Sequence, residues 1–118
     1  MIEIKNLTKS FEKVRAIDHV SAHIEEGHVF GLIGTNGAGK STFMRMLSGV
    51  LKPDEGDILV DGEPVWDNPA VKEKLFYISD DQYYFKSGTP RDMLKLYRTF
   101  YPAFDGEKWR ELLHRMGL

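Results

Sequence analysis

One eight-residue segment constrains the fold of this chain more than any other feature of its sequence. Gly34-Thr35-Asn36-Gly37-Ala38-Gly39-Lys40-Ser41 fits the pattern G-x-x-x-x-G-K-[ST] at every fixed position. The apolar run 29–33, bounded by glycines, precedes it. After it, apolar residues recur at the spacing of one helical face: Phe43, Met44, Met46 and Leu47. The sequence therefore predicts a strand buried on both faces, a glycine-rich loop and an amphipathic helix, in that order.

The chemistry of this loop suits an anion. Glycines let several backbone N–H groups point inwards, and the N-terminus of the following helix adds the positive end of its dipole. Lys40 can reach the β- and γ-phosphates of a nucleotide, and Ser41 can place its hydroxyl on a Mg²⁺ ion that bridges them. We interpret the segment as a phosphate-binding loop. The alternative, a glycine-rich turn with a solvent-facing lysine, is disfavoured by the strand–loop–helix context.

Length, charge and residue composition exclude several classes of protein. The 118 residues fit one small domain, and 16 Lys+Arg against 18 Asp+Glu argue against a nucleic-acid partner. The absence of cysteine from the sequence excludes disulfides, thiolate metal sites and a cysteine nucleophile. No apolar run approaches the roughly 18 residues that a membrane span needs, and the N-terminus lacks the layout of a signal peptide. The four histidines show no metal-ligand spacing. We expect a cytoplasmic protein.

Hydrophobic periodicity and turn signals predict the remaining elements. Strands are expected near 2–5, 17–24, 29–33, 58–60, 65 and 75–78, with Asp61-Gly62 as a hairpin turn. Helices are expected from Ser41, over 68–74 with Asn68 as the N-cap, from Thr89-Pro90 to about 101 with Asp92 at the third helical position, and from about Asp105. Two further helical faces are expected to be buried: Met93, Leu94, Tyr97, Phe100 and Tyr101, then Trp109, Leu112, Leu113 and Met116.

An ordered set of segments makes the sequence resemble the N-terminal half of the ATPase domain of an ATP-binding-cassette (ABC) transporter. The segments are Leu7–Phe11, Ala16–Ser21, Gly34–Thr42, Leu47–Gly49, Lys52–Gly56 and Val60–Gly62. The resemblance implies an α/β fold, with a P-loop NTPase core of mixed β-sheet and phosphate-loop helix. Residues 1–80 would be the N-terminal part of that core, including its antiparallel β portion. Residues 81–118 would be the linking loop and the first helices of a helical subdomain.

The resemblance also implies ligands and site residues. ATP and Mg²⁺ would be held by Gly34, Asn36, Gly37, Ala38, Gly39, Lys40, Ser41 and Thr42, with Ser41 as the Mg²⁺ ligand. Phe11 would stack on adenine, where the family usually has Tyr; the alternative is a core phenylalanine beside a strand.

A departure from the family occurs after the run 75–78. Asp80 stands where a Gln normally reaches Mg²⁺, and Gln82 lies two residues further on. We expect Asp80 to be the ligand, with Gln82 as the second choice and plain loop polarity as the alternative for both. We do not interpret Asp80-Asp81 as a catalytic pair. Exposed members of 81–88 are expected to face a membrane partner.

Other landmarks of the family are missing from the sequence: the Leu-Ser-Gly-Gly-Gln signature, the acidic strand end with its water-activating Glu, and the late His. We therefore interpret the chain as a truncated, N-terminal part of a longer protein that binds Mg-ATP or ADP but hydrolyses little. The parent would be the ATPase subunit of an ABC transporter, peripheral on the inner face of the cell membrane. Its partners would be a transmembrane permease subunit and a second ATP-binding subunit, as a homo- or heterodimer. The alternatives are a non-transport ABC ATPase, a non-catalytic nucleotide-sensing module, or another P-loop kinase or GTPase.

Overall fold

Residues 1–35, 39–79 and 86–118 are described by a computed structural model of the chain. They fall into two units, Met1–Tyr77 and Ile78–Leu118. The elements in chain order are β1 (Ile2–Phe11), β2 (Val14–Ile24), α1 (Lys40–Leu47), β3 (Glu55–Val60), β4 (Glu63–Pro64), α2 (Pro69–Lys72), α3 (Pro90–Phe100) and α4 (Gly106–Arg115). No helix in these ranges is long and apolar enough to cross a membrane.

The first unit is built on an antiparallel sheet of strand order β2-β1-β3-β4. Ile4 pairs with Ala22 on one side and with Ile58 on the other, so alternate apolar residues share one face. Helix α1 contributes Phe43 and Met46 to the cluster on that face. The buried core consists of Ile4, Leu7, Ile17, Phe43, Met46, Ile58, Val60, Val65 and Val71. The packing of Phe43 and Met46 therefore holds α1 against this face of the sheet.

A bulge interrupts the pairing of β1 with β3. The register shifts between Lys5 and Thr8, and Asn6 takes a positive φ of 47°. Opposite the bulge, Gly56 has φ 85°, and a Cβ there would lie 2.3 Å from the Asn6 carbonyl oxygen and 2.4 Å from that of Lys5. Only glycine fits this position, because any side chain would collide with backbone atoms.

The hairpin predicted from Asp61-Gly62 is confirmed. Both residues have positive φ, 51° and 82°, as a type I′ turn requires. The Asp61 carboxylate also accepts a hydrogen bond from the N-terminal amine at 3.0 Å. The β3–β4 turn is thereby attached to the start of β1.

The helix start signals of the sequence are confirmed as well. Asn68 caps α2 through a bond from the Val71 N–H, and Thr89 and Asp92 form a reciprocal capping box at α3. Asp105 caps α4 by accepting from two backbone N–H groups. These caps depend on side chains within three residues of the backbone groups that they satisfy, so the local sequence was sufficient to predict where the three helices begin.

Two predicted strands are wrong. The segments 29–33 and 75–78 carry no strand, and Val29, Ile33 and Ile78 are exposed, Val29 and Ile33 almost completely. An apolar run becomes a buried strand only when neighbouring strands satisfy its backbone and layers cover its faces. None of the four described strands pairs with either segment.

The predicted helical faces are only partly buried. In the first unit, Met44 is exposed although Phe43 and Met46 are buried. In the second unit Leu94 is buried, whereas Phe100, Leu112 and Met116 are exposed. The rings of Tyr97, Phe104 and Trp109 pack together with centroid separations of 5.6 to 6.4 Å. Helices α3 and α4 meet through this cluster, which leaves their outer apolar residues uncovered.

The stability of the chain is expected to fall on acidification. The pKa is lowered for four carboxyls: Asp18, Asp54, Asp61 and Asp92. The largest cause is in each case a hydrogen bond to the carboxylate, from His19, the Ser10 N–H, the N-terminal amine and the Thr89 N–H respectively. Because the folded values lie below the unfolded ones, this stability is present above about pH 4 and is lost as the pH falls further. Urea unfolding at pH 7, 5 and 3 tests this, and equal stability at pH 3 and 7 would contradict it.

Candidate functional site

Helix α1 begins directly after a glycine. Gly39 is its N-cap in a left-handed conformation, with φ 90°, and the first helical bond runs from the Phe43 N–H to the Gly39 carbonyl at 2.9 Å. Among the residues that the structure describes, no side chain caps the helix, and its first turn contains no acidic residue. The first N–H groups of a helix have no partner within the helix itself, and they carry the positive end of its dipole. This end of α1 suits an anion.

Gly39 also fixes the position of the helix against the sheet. A Cβ at Gly39 would lie 2.4 Å from the carbonyl oxygen of Ala16 in β2 and 3.1 Å from the Ile17 side chain. The last fixed glycine of the sequence motif is therefore required both for its positive φ and for this close approach. The start of α1 is consequently held beside the half of β2 that pairs with the C-terminal end of β1.

Lys40 turns back towards the preceding loop. Its ammonium group donates hydrogen bonds to the carbonyl oxygens of Gly34 and Thr35, the latter at 3.3 Å. Within residues 1–35, 39–79 and 86–118, no carboxylate forms an ion pair with it. Its ammonium thus points back towards the loop, where two neutral carbonyl groups accept its hydrogen bonds. A phosphate group would be a stronger acceptor for the same ammonium group.

Phe11 lies at the tip of the β1–β2 hairpin. It pairs with Val14 across a tight turn in which Glu12 has φ 49°, and the residue is 46% exposed. The Lys9 ammonium lies 5.5 Å from the centroid of the ring. The exposure of Phe11 argues against the alternative of a core phenylalanine and leaves the ring available to a flat ligand.

The other predicted site residues divide into two groups. Ser41 is exposed and Thr42 is half-buried in the first turn of α1, and Gly34 is exposed in the loop. Some predicted residues lie outside the described part of the chain: Asn36, Gly37, Ala38, Asp80, Gln82, and the aromatic residues of 83–85. Among the residues that are described, no group of three or more His, Asp or Glu side chains could hold a metal ion by itself.

The sequence did not indicate the role of Asp54. Its carboxylate accepts hydrogen bonds from the Ser10 N–H at 2.8 Å and from the Lys9 ammonium at 3.0 Å. These bonds hold the end of β1 that carries Phe11. The partners are more than forty residues apart in the chain, and no spacing rule connects them.

The sequence profile of the ABC transporter family matches residues 17–118. The chain belongs to the ABC transporter family, as part of its ATP-binding cassette. The loop and helix described above are the segment that this family shares with other P-loop NTPases. The resemblance drawn from the ordered sequence motifs is confirmed.

Relatives support the same assignment. The ABC transporter ATP-binding protein YtrB of Bacillus subtilis is 34% identical over 115 residues, which are 98% of this chain and 39% of that protein. The SkfA peptide export ATP-binding protein SkfE of the same organism is 36% identical over 95 residues, or 80% of this chain and 39% of that protein. The chain therefore spans about 39% of the length of these two relatives.

Solved structures confirm the α/β, P-loop NTPase fold class. The ATP binding subunit of an ABC transporter superposes with a TM-score of 0.81 at 27% identity, covering 96% of this chain and 49% of that one. The ATP-binding cassette MJ0796, in a dimeric post-hydrolysis state bound to ADP and phosphate, gives a TM-score of 0.76 at 25% identity. In that comparison 94% of this chain and 53% of the cassette are covered.

Proposed function

We propose that this chain binds Mg-ATP through residues 34–42, as part of the ATP-binding subunit of an ABC transporter. One observation carries the proposal: α1 begins at a left-handed Gly39 with no side-chain cap among the described residues, and Lys40 folds back onto the carbonyls of Gly34 and Thr35. A cation and a helix N-terminus are thereby presented by the same short segment. Together they suit a polyphosphate, in which several anionic oxygens need donors at once.

Each residue has a distinct role in this proposal. The loop 34–39 supplies backbone N–H groups, including those of Asn36, Gly37 and Ala38, and Lys40 transfers its hydrogen bonds from carbonyls to phosphate oxygens. Thr42 and the first turn of α1 add further donors. The exposed hydroxyl of Ser41 provides a ligand for a Mg²⁺ ion whose other ligands come from the phosphates. Phe11 offers its open ring to adenine.

The residue after position 79 that reaches Mg²⁺, where the family usually has Gln, is assigned by its position in the sequence alone. We propose Asp80 as the residue that reaches Mg²⁺ beside the γ-phosphate, with Gln82 as the second choice. A carboxylate can ligate Mg²⁺ directly or through water. It also places a negative charge near the phosphates, so binding should depend more strongly on Mg²⁺ than it would with a glutamine.

Hydrolysis and transport belong to the parent protein in this proposal. A hydrolytic site needs a group that positions the attacking water and further groups that stabilise the developing charge. The 118-residue sequence contains neither the family's signature motif nor its water-activating Glu, so we expect binding without turnover. The parent would pair with a second ATP-binding subunit and a permease subunit on the inner face of the membrane. The transporter names of YtrB and SkfE and the dimeric MJ0796 structure support this assembly.

The proposal is tested by titrating the chain with a fluorescent ATP analogue, with and without Mg²⁺, and competing with unlabelled ATP and GTP. We expect Mg²⁺-dependent binding with weak base discrimination, because a stacked ring contributes little base specificity by itself. Strong selectivity for GTP would overturn the transporter assignment. Release of phosphate from ATP by the 118-residue chain would contradict the expectation that this chain binds ATP without hydrolysing it.

Ser41→Ala is expected to reduce the effect of Mg²⁺ on ATP binding, with the ligand proposed at Asp80 still in place. Without its hydroxyl the loop can still hold phosphates through N–H groups and Lys40, so affinity in EDTA should stay within about twofold of the original. In the presence of Mg²⁺ the affinity should fall towards the EDTA value. Ser48→Ala, at the other end of α1, serves as the matched control in the same fluorescence titration. Full Mg²⁺ stimulation in Ser41→Ala would contradict the metal-ligand role.

A further inference from the structure

We infer that Asp54 is a positioning residue that holds Phe11 in place for the nucleotide base. The inference rests on the proposed function, in which the Phe11 ring stacks on that base. It concerns a residue outside the glycine-rich loop, at the turn that leads into β3. Asp54 makes no direct contact with the nucleotide in this account and acts through β1.

In the part of the chain that the structure describes, the end of β1 lacks a strand neighbour on one side. Strand β3 begins at Glu55, which pairs with Thr8, so residues 9–11 of β1 are paired with β2 but with no other described strand. Asp54 continues the ladder beyond this point. Its N–H donates to the Thr8 carbonyl at 2.9 Å, and its carboxylate accepts from the Ser10 N–H at 2.8 Å. The aspartate therefore takes the place of the missing strand directly before Phe11.

The same carboxylate fixes a cation above the aromatic ring. Its second oxygen accepts a hydrogen bond from the Lys9 ammonium at 3.0 Å, and the Lys9 side chain is only 15% exposed. That ammonium lies 5.5 Å from the centroid of Phe11. Asp54 thus restrains both the backbone that carries the ring and the cation that contacts it. The exposed remainder of the ring is left for a base.

The positioning of Phe11 reduces the cost of stacking. A ring at the tip of a two-stranded hairpin would lose conformational freedom when a base stacked on it, and a ring that is already held has less to lose. Asp54 is ionised at neutral pH, because the Ser10 N–H and the Lys9 ammonium lower the pKa of its carboxyl. Both restraints are therefore in place under the conditions of a binding assay.

A comparison of the affinities for Mg-ATP and for Mg-tripolyphosphate separates the contribution of the base to binding from that of the phosphates. Tripolyphosphate uses the loop and Lys40 but has no base, so its affinity should change less than about twofold in every variant. Phe11→Ala and Asp54→Ala should each lower the affinity for Mg-ATP by about 2- to 10-fold, the range expected for one aromatic stacking contact.

The affinity of Asp54→Asn for Mg-ATP should lie between those of these variants and that of the original protein, because the amide oxygen can still accept the Ser10 N–H. Asp57→Ala, an exposed aspartate in β3, is the matched control and should change neither affinity.

The outcomes distinguish this inference from the function on which it rests. If Phe11→Ala weakens ATP binding selectively and Asp54→Ala does not, the positioning role is overturned and the stacking role stands. If Asp54→Ala weakens ATP and tripolyphosphate equally, its effect is a general loss of structure and the inference is also overturned. If the unaltered chain binds neither ligand, the proposed function fails, and the inference fails with it.

Discussion

Replacing Lys40 by alanine is expected to lower the affinity for Mg-ATP by about 10- to 100-fold, because a charged hydrogen-bonding group is worth about 1.5–3 kcal/mol. Among the residues that the structure describes, the partners of its ammonium are the carbonyls of Gly34 and Thr35 and include no carboxylate, so it can move to phosphate without breaking an ion pair there. The loss should be similar for ADP and ATP if Lys40 reaches the β-phosphate, and larger for ATP if it also reaches the γ-phosphate.

Calorimetric titration of the variant against the original chain measures this effect. Lys52→Ala is the matched control, since it removes the same charge from an exposed turn after α1. The control should bind within about twofold of the original protein, because a single distant surface charge is screened by salt. Thermal unfolding of both variants shows whether the fold is retained. An unchanged affinity in a folded Lys40→Ala chain would exclude this loop as the phosphate site.

Gly56→Ala is expected to destabilise the first unit far more than Gly62→Ala. Both glycines have φ above 80°, a conformation that costs an alanine about 1–2 kcal/mol. At Gly62 a Cβ meets nothing within 4 Å, so this backbone cost is the whole effect. At Gly56 the Cβ would collide with the carbonyls of Asn6 and Lys5, and β1 and β3 must separate to admit it. We expect a total loss of about 3 kcal/mol or more.

Urea unfolding of the two variants checks this difference directly. Because a domain is stable by only about 5–15 kcal/mol, Gly56→Ala should shift the transition far to lower urea or leave the chain unfolded. Subtracting the stability loss of Gly62→Ala from that of Gly56→Ala removes the cost of the backbone conformation and leaves the cost of the collision. Equal stabilities for the two variants would show that the bulge at Asn6 accepts a side chain, in contradiction to the observed approach of the strands.

Local sequence signals predicted a large part of this structure correctly. The Asp61-Gly62 turn and the Thr89–Asp92 capping box each depend on residues within a few positions of one another, and both form as expected. The start of α1 was predicted at Ser41 from the glycine-rich motif and the helical spacing of the apolar residues after it, and the helix begins one residue earlier, at Lys40. For such features, residues that are close in the sequence make nearly all of the interactions that matter.

Features that depend on distant partners were not predicted. The apolar pattern of 29–33 is typical of a buried strand, but a strand also requires neighbours that no local pattern supplies. Burial of Phe100 or Met116 likewise depends on what covers each helix, and both are exposed. The bonds from Asp54 to the end of β1 join residues more than forty positions apart. Only the paired sheet brings that carboxylate beside Phe11.

The central claim, that a polyphosphate binds at the start of α1, is tested most directly by amide nuclear magnetic resonance. The isotope-labelled chain would be titrated first with Mg-tripolyphosphate and then with Mg-ATP. We predict that both ligands shift the backbone signals of residues 34–42, and that ATP alone also shifts those of Lys9, Ser10 and Phe11. Shifts confined to residues outside 34–42, or no shifts at saturating ligand, would contradict the account.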